Sequence, residues 1–296
     1  MLKRLWIYLQ EMYPVLDRLV ASVVLFAGIY IGGVYVTGQQ LLPMGAEEII
    51  GALTVFGMLL ALRIADELKD YKTDMINFPN RALPSGRVKK IDLVALVTVV
   101  VTAMIVANIW YMPMPTPLFF TVMIIYASLM SVWFFVRRLL QPNLIATLIT
   151  HNPIQLLLVF YVLSIMGTQY DVSVFSGPLI ALGFIFYIPA LVWELSRKIR
   201  SPKEEDQYVT YSQIFGRSRA IWIVMSIFLI QLLAISYVYR TDWWASIVIA
   251  LSFIIYTVIS LYNIRHPESY NYGKIARGYL YVTQIALVAV AIIGVL

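Results

Sequence analysis

The sequence predicts an all-α integral membrane protein of nine transmembrane helices, with its N-terminus inside and its C-terminus outside. Three observations predict this. The chain has 61% hydrophobic and only 13% charged residues, with a mean hydropathy of +0.81. A soluble domain carries roughly 25% charged residues, so the membrane is the solvent here. Nine apolar runs, at 14–36, 46–66, 91–112, 115–136, 143–166, 174–196, 218–239, 243–263 and 276–296, approach the ~20 residues that a crossing helix needs. Finally, the links alternate in charge. Those with Lys3/Arg4, 69–90, Arg137/Arg138, 197–219 and 265–277 are basic, whereas 37–45, 113–114, 167–173 and 240–242 hold only Arg240. Basic links stay in the cytoplasm, and this sets the orientation.

Composition also excludes several classes. With no cysteine there are no disulfides and no thiolate metal sites. His151 and His266 alone cannot make an ordinary zinc site. The net charge of +6 is accounted for by the cytoplasmic bias, so no nucleic-acid partner is implied. Residues 1–13 lack an Ala-x-Ala-type processing site, and the first apolar run reads as a retained span. Trp110/Tyr111, Tyr237/Tyr239 and Trp243/Trp244 read as an interfacial aromatic belt. The whole chain, 1–296, reads as one transmembrane domain with two chemically distinctive regions, 63–87 and 187–216.

In the first region the second span runs into Asp66, Glu67, Asp70 and Asp74. On one helix, spacings of three and four put these acids on a shared face. Like charges so stacked repel by roughly a few tenths of a kcal/mol per pair, and a hard cation removes that penalty. Magnesium takes one or two carboxylates together with substrate phosphates; the plainer reading is a solvated helix end interleaved with Lys69 and Lys72. Two prolines and Gly86 then form a turn that carries Arg81 and Arg87. Arginine forks match phosphate oxygens, so carboxylates, cation and arginines together suit a diphosphate.

The second region begins at Glu194, an ionisable group at the end of an apolar stretch that needs a partner there. Arg197 and Lys198 lie three and four residues on and can pair with it structurally; Arg200 adds a third positive charge. A juxtamembrane basic collar facing anionic lipid is the plainer alternative, and 204–206 alone reads as solvated loop.

These two regions resemble the paired aspartate-rich motifs of the UbiA superfamily of intramembrane prenyltransferases. The family's first motif, Asn-Asp-x-x-Asp-x-x-x-Asp followed by Arg-Pro-Leu-x-x-Gly, is matched by Asp66-Glu67-x-x-Asp70-x-x-x-Asp74 and by Arg81-Ala-Leu-Pro-Ser-Gly86. The second motif departs from the pattern: basic residues follow Glu194 where a further carboxylate is expected, leaving Glu204, Glu205 or Asp206 to stand in. Thr210 and Phe215-Gly216 fit its ending.

The resemblance implies a helix bundle around a central apolar chamber and a prenyl diphosphate substrate with its head at the two motifs. It implies Mg2+ on Asp66, Glu67, Asp70, Asp74 and Glu194, with Arg81, Arg197, Lys198 and Arg200 on the diphosphate. Catalysis then falls to Asp66, Glu67, Asp70, Asp74 and Arg81. Tyr71, Phe78, Tyr126, Tyr161, Tyr187 and Trp193 are candidates by position to face a carbocation. The acceptor, the chain length and the oligomeric state are not legible, although Arg18 and Arg63 are basic residues within apolar spans.

Two rivals stand beside prenyl transfer. One is an intramembrane terpene cyclase, in which the substrate's own double bond captures the cation. The other is a transporter, in which His151-Asn152-Pro153 breaks the fifth span near a site. The expected setting is a bacterial or archaeal plasma membrane, with membrane lipids as neighbours and the active site facing the cytoplasm.

Overall fold

The computed structural model describes every residue except 206–208, 240–242, 269–271 and 296. Arg240 and Asp206 therefore lie outside the described residues, as do the side chains of Trp243 and Trp244. The described residues form helices and no strand. Among the described residues, seven helices are long and apolar enough to cross a membrane, counting α8 and α9 below as one continuous span. Two more apolar helices are shorter, Thr116–Ser131 and the described stretch Ile249–Arg265. The chain divides into two compact units, 1–27 with 42–137 and 28–41 with 138–296.

The first unit holds α1 (Leu2–Met12), the start of α2 (Val15–Val36), α3 (Ala46–Lys69), α4 (Tyr71–Asn77), α5 (Lys90–Tyr111) and α6 (Thr116–Ser131). Helix α3 packs on α5 and α6. A Cβ on Gly57 would come within 2.8 Å of the Met104 sulfur, so the α3–α5 approach depends on that glycine. Beside it, the buried Asn108 amide donates to Thr54 Oγ1 at 2.9 Å. Helix α1, eleven residues long, is too short to span. Its Tyr8, Leu5 and Leu9 enter a core of Leu60, Ile64, Ala82, Leu83, Val88 and Leu93, while Leu2 and Trp6 stay exposed.

The fourth expected span, 115–136, ends earlier than its hydropathy suggests. Helix α6 stops at Ser131, and Trp133, Phe134 and Phe135 follow at φ of 55°, 50° and 61°. A left-handed residue costs about 1–2 kcal/mol, so packing must hold this turn. Trp133 is buried under the Lys69 ammonium, 4.8 Å from its ring, and Phe134 meets Tyr126 edge-on at 5.4 Å.

The second unit holds the end of α2, then all but the first residue of α7 (Arg137–Leu140), α8 (Leu144–His151), α9 (Pro153–Gln169), α10 (Gly177–Ser196), α11 (Tyr211–Phe215), α12 (Arg217–Val238), α13 (Trp243–Arg265) and α14 (Tyr272–Val295). The expected fifth span is two helices joined at Asn152, whose φ of −73° and ψ of −30° keep the direction. Pro153 opens α9 as its first residue, where a missing N–H costs least. Helix α10 packs on α9, α12 and α14. Within it Pro189 has no N–H to offer the carbonyl four residues back. That carbonyl, of Ile185, instead accepts from the buried side-chain amide of Gln231 on α12 at 3.0 Å.

Gln231→Leu should therefore strand the Ile185 carbonyl at a cost of about 1–3 kcal/mol. The loss should be recovered in Gln231→Leu/Pro189→Ala, because an alanine there supplies the backbone donor that proline lacks. Thermal unfolding in detergent checks this; an equal loss in both backgrounds would show that the amide–carbonyl bond is not what stabilises α10.

Candidate active site

The first acidic region is not one straight helix. Helix α3 ends at Lys69, Asp70 sits at φ −98° and ψ 8°, and α4 starts at Tyr71. Asp70 joins the two pieces: its N–H donates to Asp66 O, and its own carbonyl accepts from Thr73 and Asp74 N–H, all at 2.9 Å. Aspartate is a poor helix former, and stacked like charges oppose a continuous helix, so the break falls among the acids.

Three of the four carboxylates have a basic partner from the same stretch. Lys69 Nζ lies 2.8 Å from Asp66, and Arg81 Nη1 lies 3.0 Å from Asp74. Arg63 pairs with Glu67 across one helical turn rather than with Asp66. Asp70 is the exception: burial pushes its carboxyl above the ordinary range, Lys69 and Arg137 oppose this, and Asp66 and Asp74 add to it.

The turn that follows is held by its backbone and by burial. Ser85 N–H donates to Arg81 O and Val88 N–H to Ala82 O, both at 3.0 Å. Ala82, Leu83 and Val88 are buried. Gly86 sits at φ +78°, where an L side chain would be strained. Arg81 stacks on Phe78, 3.8 Å from the ring centroid, which sets the guanidinium beside Asp74. Arg87 turns elsewhere, to Glu11 of α1 at 2.6 Å and the Asn80 carbonyl at 2.7 Å.

The carboxylates are hard oxygen donors of the type magnesium takes, and Glu67 Oε2 is buried without a hydrogen-bond partner. In chemistry this donor set fits the ion. Among the described residues no three acids converge on one point, since Arg63, Lys69 and Arg81 each hold one carboxylate.

The second region is paired differently. Glu194, near the end of α10, takes both Arg197 at 2.6 Å and Lys198 at 2.9 Å. Arg200 donates from its guanidinium to the Glu204 carbonyl at 3.1 Å and from its backbone to Ser212 Oγ at 2.9 Å. Glu204 and Glu205, the stand-in acids, face hydroxyls instead: Ser201 Oγ donates to Glu204 at 3.0 Å and Thr210 Oγ1 to Glu205 at 2.8 Å. Thr210 also caps α11, and Gly216 closes it at φ +78°. Glu194 thus faces two basic side chains, whereas in the first region each paired acid has a single basic partner.

The aromatic candidates are already engaged within their units. Tyr71 lies under Lys90, Phe78 under Arg81, Trp193 under Arg277, and Tyr126 and Tyr187 against Phe134 and Phe184. Tyr161 is fully buried. Two features went unread in the sequence: the contact of α1 with the acidic motif, and the buried cluster of Phe228, Tyr256, Tyr272 and Tyr279. For α1 the available signal was the helical spacing of Leu5, Tyr8, Leu9 and Met12, with Lys3, Arg4 and Glu11 off that face. The tyrosines carry none, being 16 to 51 positions from their partners.

The model of the UbiA prenyltransferase family matches residues 25–288. Among curated proteins nothing matches. Among solved structures, one of digeranylgeranylglyceryl phosphate synthase is 15% identical, with a TM-score of 0.68 over 98% of this chain and 99% of that one. An apo UbiA homolog from Aeropyrum pernix K1 is 12% identical, with a TM-score of 0.66 over 93% of this chain and 98% of that one. At these identities the likeness establishes the fold.

The Asp70 carboxyl binds its proton more tightly in the folded chain than in the unfolded one, because burial raises it. By linkage, its contribution to stability falls as pH rises through its raised range. Asp70→Asn should therefore raise the thermal midpoint at pH 7 in chelator. The gain should close as pH falls toward the ordinary aspartate value of about 3.9. An Asn variant that melts below the parent at pH 7 would contradict a strained carboxylate.

Proposed function

The chain belongs to the UbiA prenyltransferase family, and on that premise we propose that it ionises a prenyl diphosphate with magnesium and transfers the prenyl group to an acceptor within the membrane. The observation that carries this reading is the acidic motif itself: of its four carboxylates Asp70 has no basic partner among the described residues, and Glu67 leaves Oε2 unanswered. One region offers four carboxylates to a cation, and the other offers Arg197, Lys198 and Arg200 to an anion.

Asp66, Glu67, Asp70, Asp74 and, from the second motif, Glu194 are the proposed magnesium ligands. Magnesium, when bound, neutralises charge that builds on the departing diphosphate. Arg81, held on Phe78, directs guanidinium donors at the same oxygens, a preorganised stabilisation that acts as the charge develops. The allylic C–O bond breaks with its electron pair going to the diphosphate. The acceptor's nucleophilic atom then bonds to that carbon and loses a proton. Arg197, Lys198 and Arg200 are the further diphosphate ligands, and for Arg197 and Lys198 this means sharing or leaving Glu194.

The proposed topology counts the two shorter apolar helices with the seven long ones, giving nine crossings with the N-terminus inside. As one catalytic domain, the chain thus works at the cytoplasmic face of a bacterial or archaeal plasma membrane. The absence of native cysteine makes this directly measurable. An Asn80→Cys variant should be shielded from an impermeant maleimide in intact cells, and a Gln40→Cys variant should be labelled. The reverse pattern would invert the orientation.

Activity is tested by diphosphate release from the purified protein with magnesium and prenyl diphosphates of increasing length. Membrane lipid extracts, quinone precursors and a glycerol-phosphate-based lipid serve as acceptors, the last because of the fold neighbour's product. Release that requires acceptor is the expected result, and chelator should abolish it. Arg81→Ala should lower turnover by about 10²–10³-fold, as loss of one preorganised donor does elsewhere. Hydrocarbon products without acceptor would replace transfer with cyclisation, and no release under any condition would remove the reading.

A further inference from the structure

Two buried polar groups in the first unit lack partners, and they are complementary. Tyr8 of α1 is fully buried, and its hydroxyl makes no hydrogen bond. The Glu67 side chain is 1% exposed; Arg63 takes one oxygen, and Oε2 has no partner. A phenol is a ready donor and a carboxylate only accepts. Burial pushes the Tyr8 phenol up, and of the surrounding charges Glu67 acts on it most strongly, ahead of Arg63 and Asp66.

Helix α1 is fastened where it can serve this purpose. Arg4 grips Asp92 at the start of α5 with two bonds, at 2.6 and 2.8 Å. Glu11 holds Arg87 of the turn at 2.6 Å, and Tyr13 donates to the Phe56 carbonyl of α3 at 2.9 Å. The start of α1 is pinned to α5 and its end to α3 and the motif's turn, which holds the buried Tyr8 ring in place. An unanswered carboxylate oxygen in such a place is costly, and a water with two or more polar partners is the usual remedy.

We propose that Tyr8 is a positioning residue for the acidic motif: its hydroxyl, through one bridging water, donates to Oε2 of Glu67 and aims that carboxylate at a divalent cation. The proposal rests on the magnesium assignment made under the proposed function. It gives α1 a purpose beyond anchorage, since groups that orient a ligand typically change metal affinity by about 10–100-fold.

The test is Mn2+ titration, followed by electron paramagnetic resonance, of the purified full chain in lipid nanodiscs. Thermal midpoints and diphosphate release are measured on the same samples. Tyr8→Phe keeps the ring and removes only the hydroxyl. It should weaken Mn2+ binding about tenfold, leave the midpoint unchanged or higher, and have no further effect in a Glu67→Gln background. Parental affinity in Tyr8→Phe, or the same loss with Glu67→Gln present, would overturn the proposal. A parent that binds no Mn2+ overturns it together with the metal assignment. A parent that binds Mn2+ normally but releases no diphosphate strikes the proposed function and leaves the positioning role standing.

Discussion

A carbonyl or a carboxylate inside a bilayer has no water to turn to, and most local features of this structure follow from that constraint. Lipid-facing hydroxyls bond back into their own helices: Thr98 to Val94, Thr121 to Pro117 and Ser128 to Ile124, each four residues earlier. Asn108 and Thr54 answer one another between α3 and α5. Where Pro189 frees the Ile185 carbonyl, an amide arrives from another helix. None of these bonds adds much net stability, but leaving any one group unanswered is expensive.

The same constraint shapes the ionisable residues, which collect near helix ends beside built-in counterions. In the first region Arg63, Lys69 and Arg81 each hold one acid, and Asp70 is raised by burial. In the second, Glu194 is outnumbered by Arg197 and Lys198. Any ligand at either region would have to displace or share an existing ion pair.

The left-handed Trp133–Phe135 turn shows packing overruling local preference. Hydropathy favours a helix through residue 136, but the chain reverses its hand after α6 so that Trp133 is buried against Lys69 and Arg137 acts on Asp70. The strain of three left-handed residues is tolerated because the buried indole and its cation contact outweigh it. Phe135, 80% exposed, gains nothing from this burial and is carried by its neighbours.

The spans, the charged links and the acid–arginine motif were legible in the sequence because each is a local pattern. About twenty apolar residues in a row, acids at spacings of three and four, and a Pro-Gly turn after them need no partner to be recognised. The exact endings were less legible, as the break at Asp70 and the stop at Ser131 show, because helix ends depend on what the last turn packs against. The tertiary structure alone decided who answers whom. It paired Arg63 with Glu67 instead of Asp66, sent Arg87 to Glu11, gave Gln231 to Ile185 and laid Tyr8 beside the motif. Such partners lie up to 76 residues apart, and electrostatics and hydrogen bonding act through space, so no spacing along the chain could have announced them.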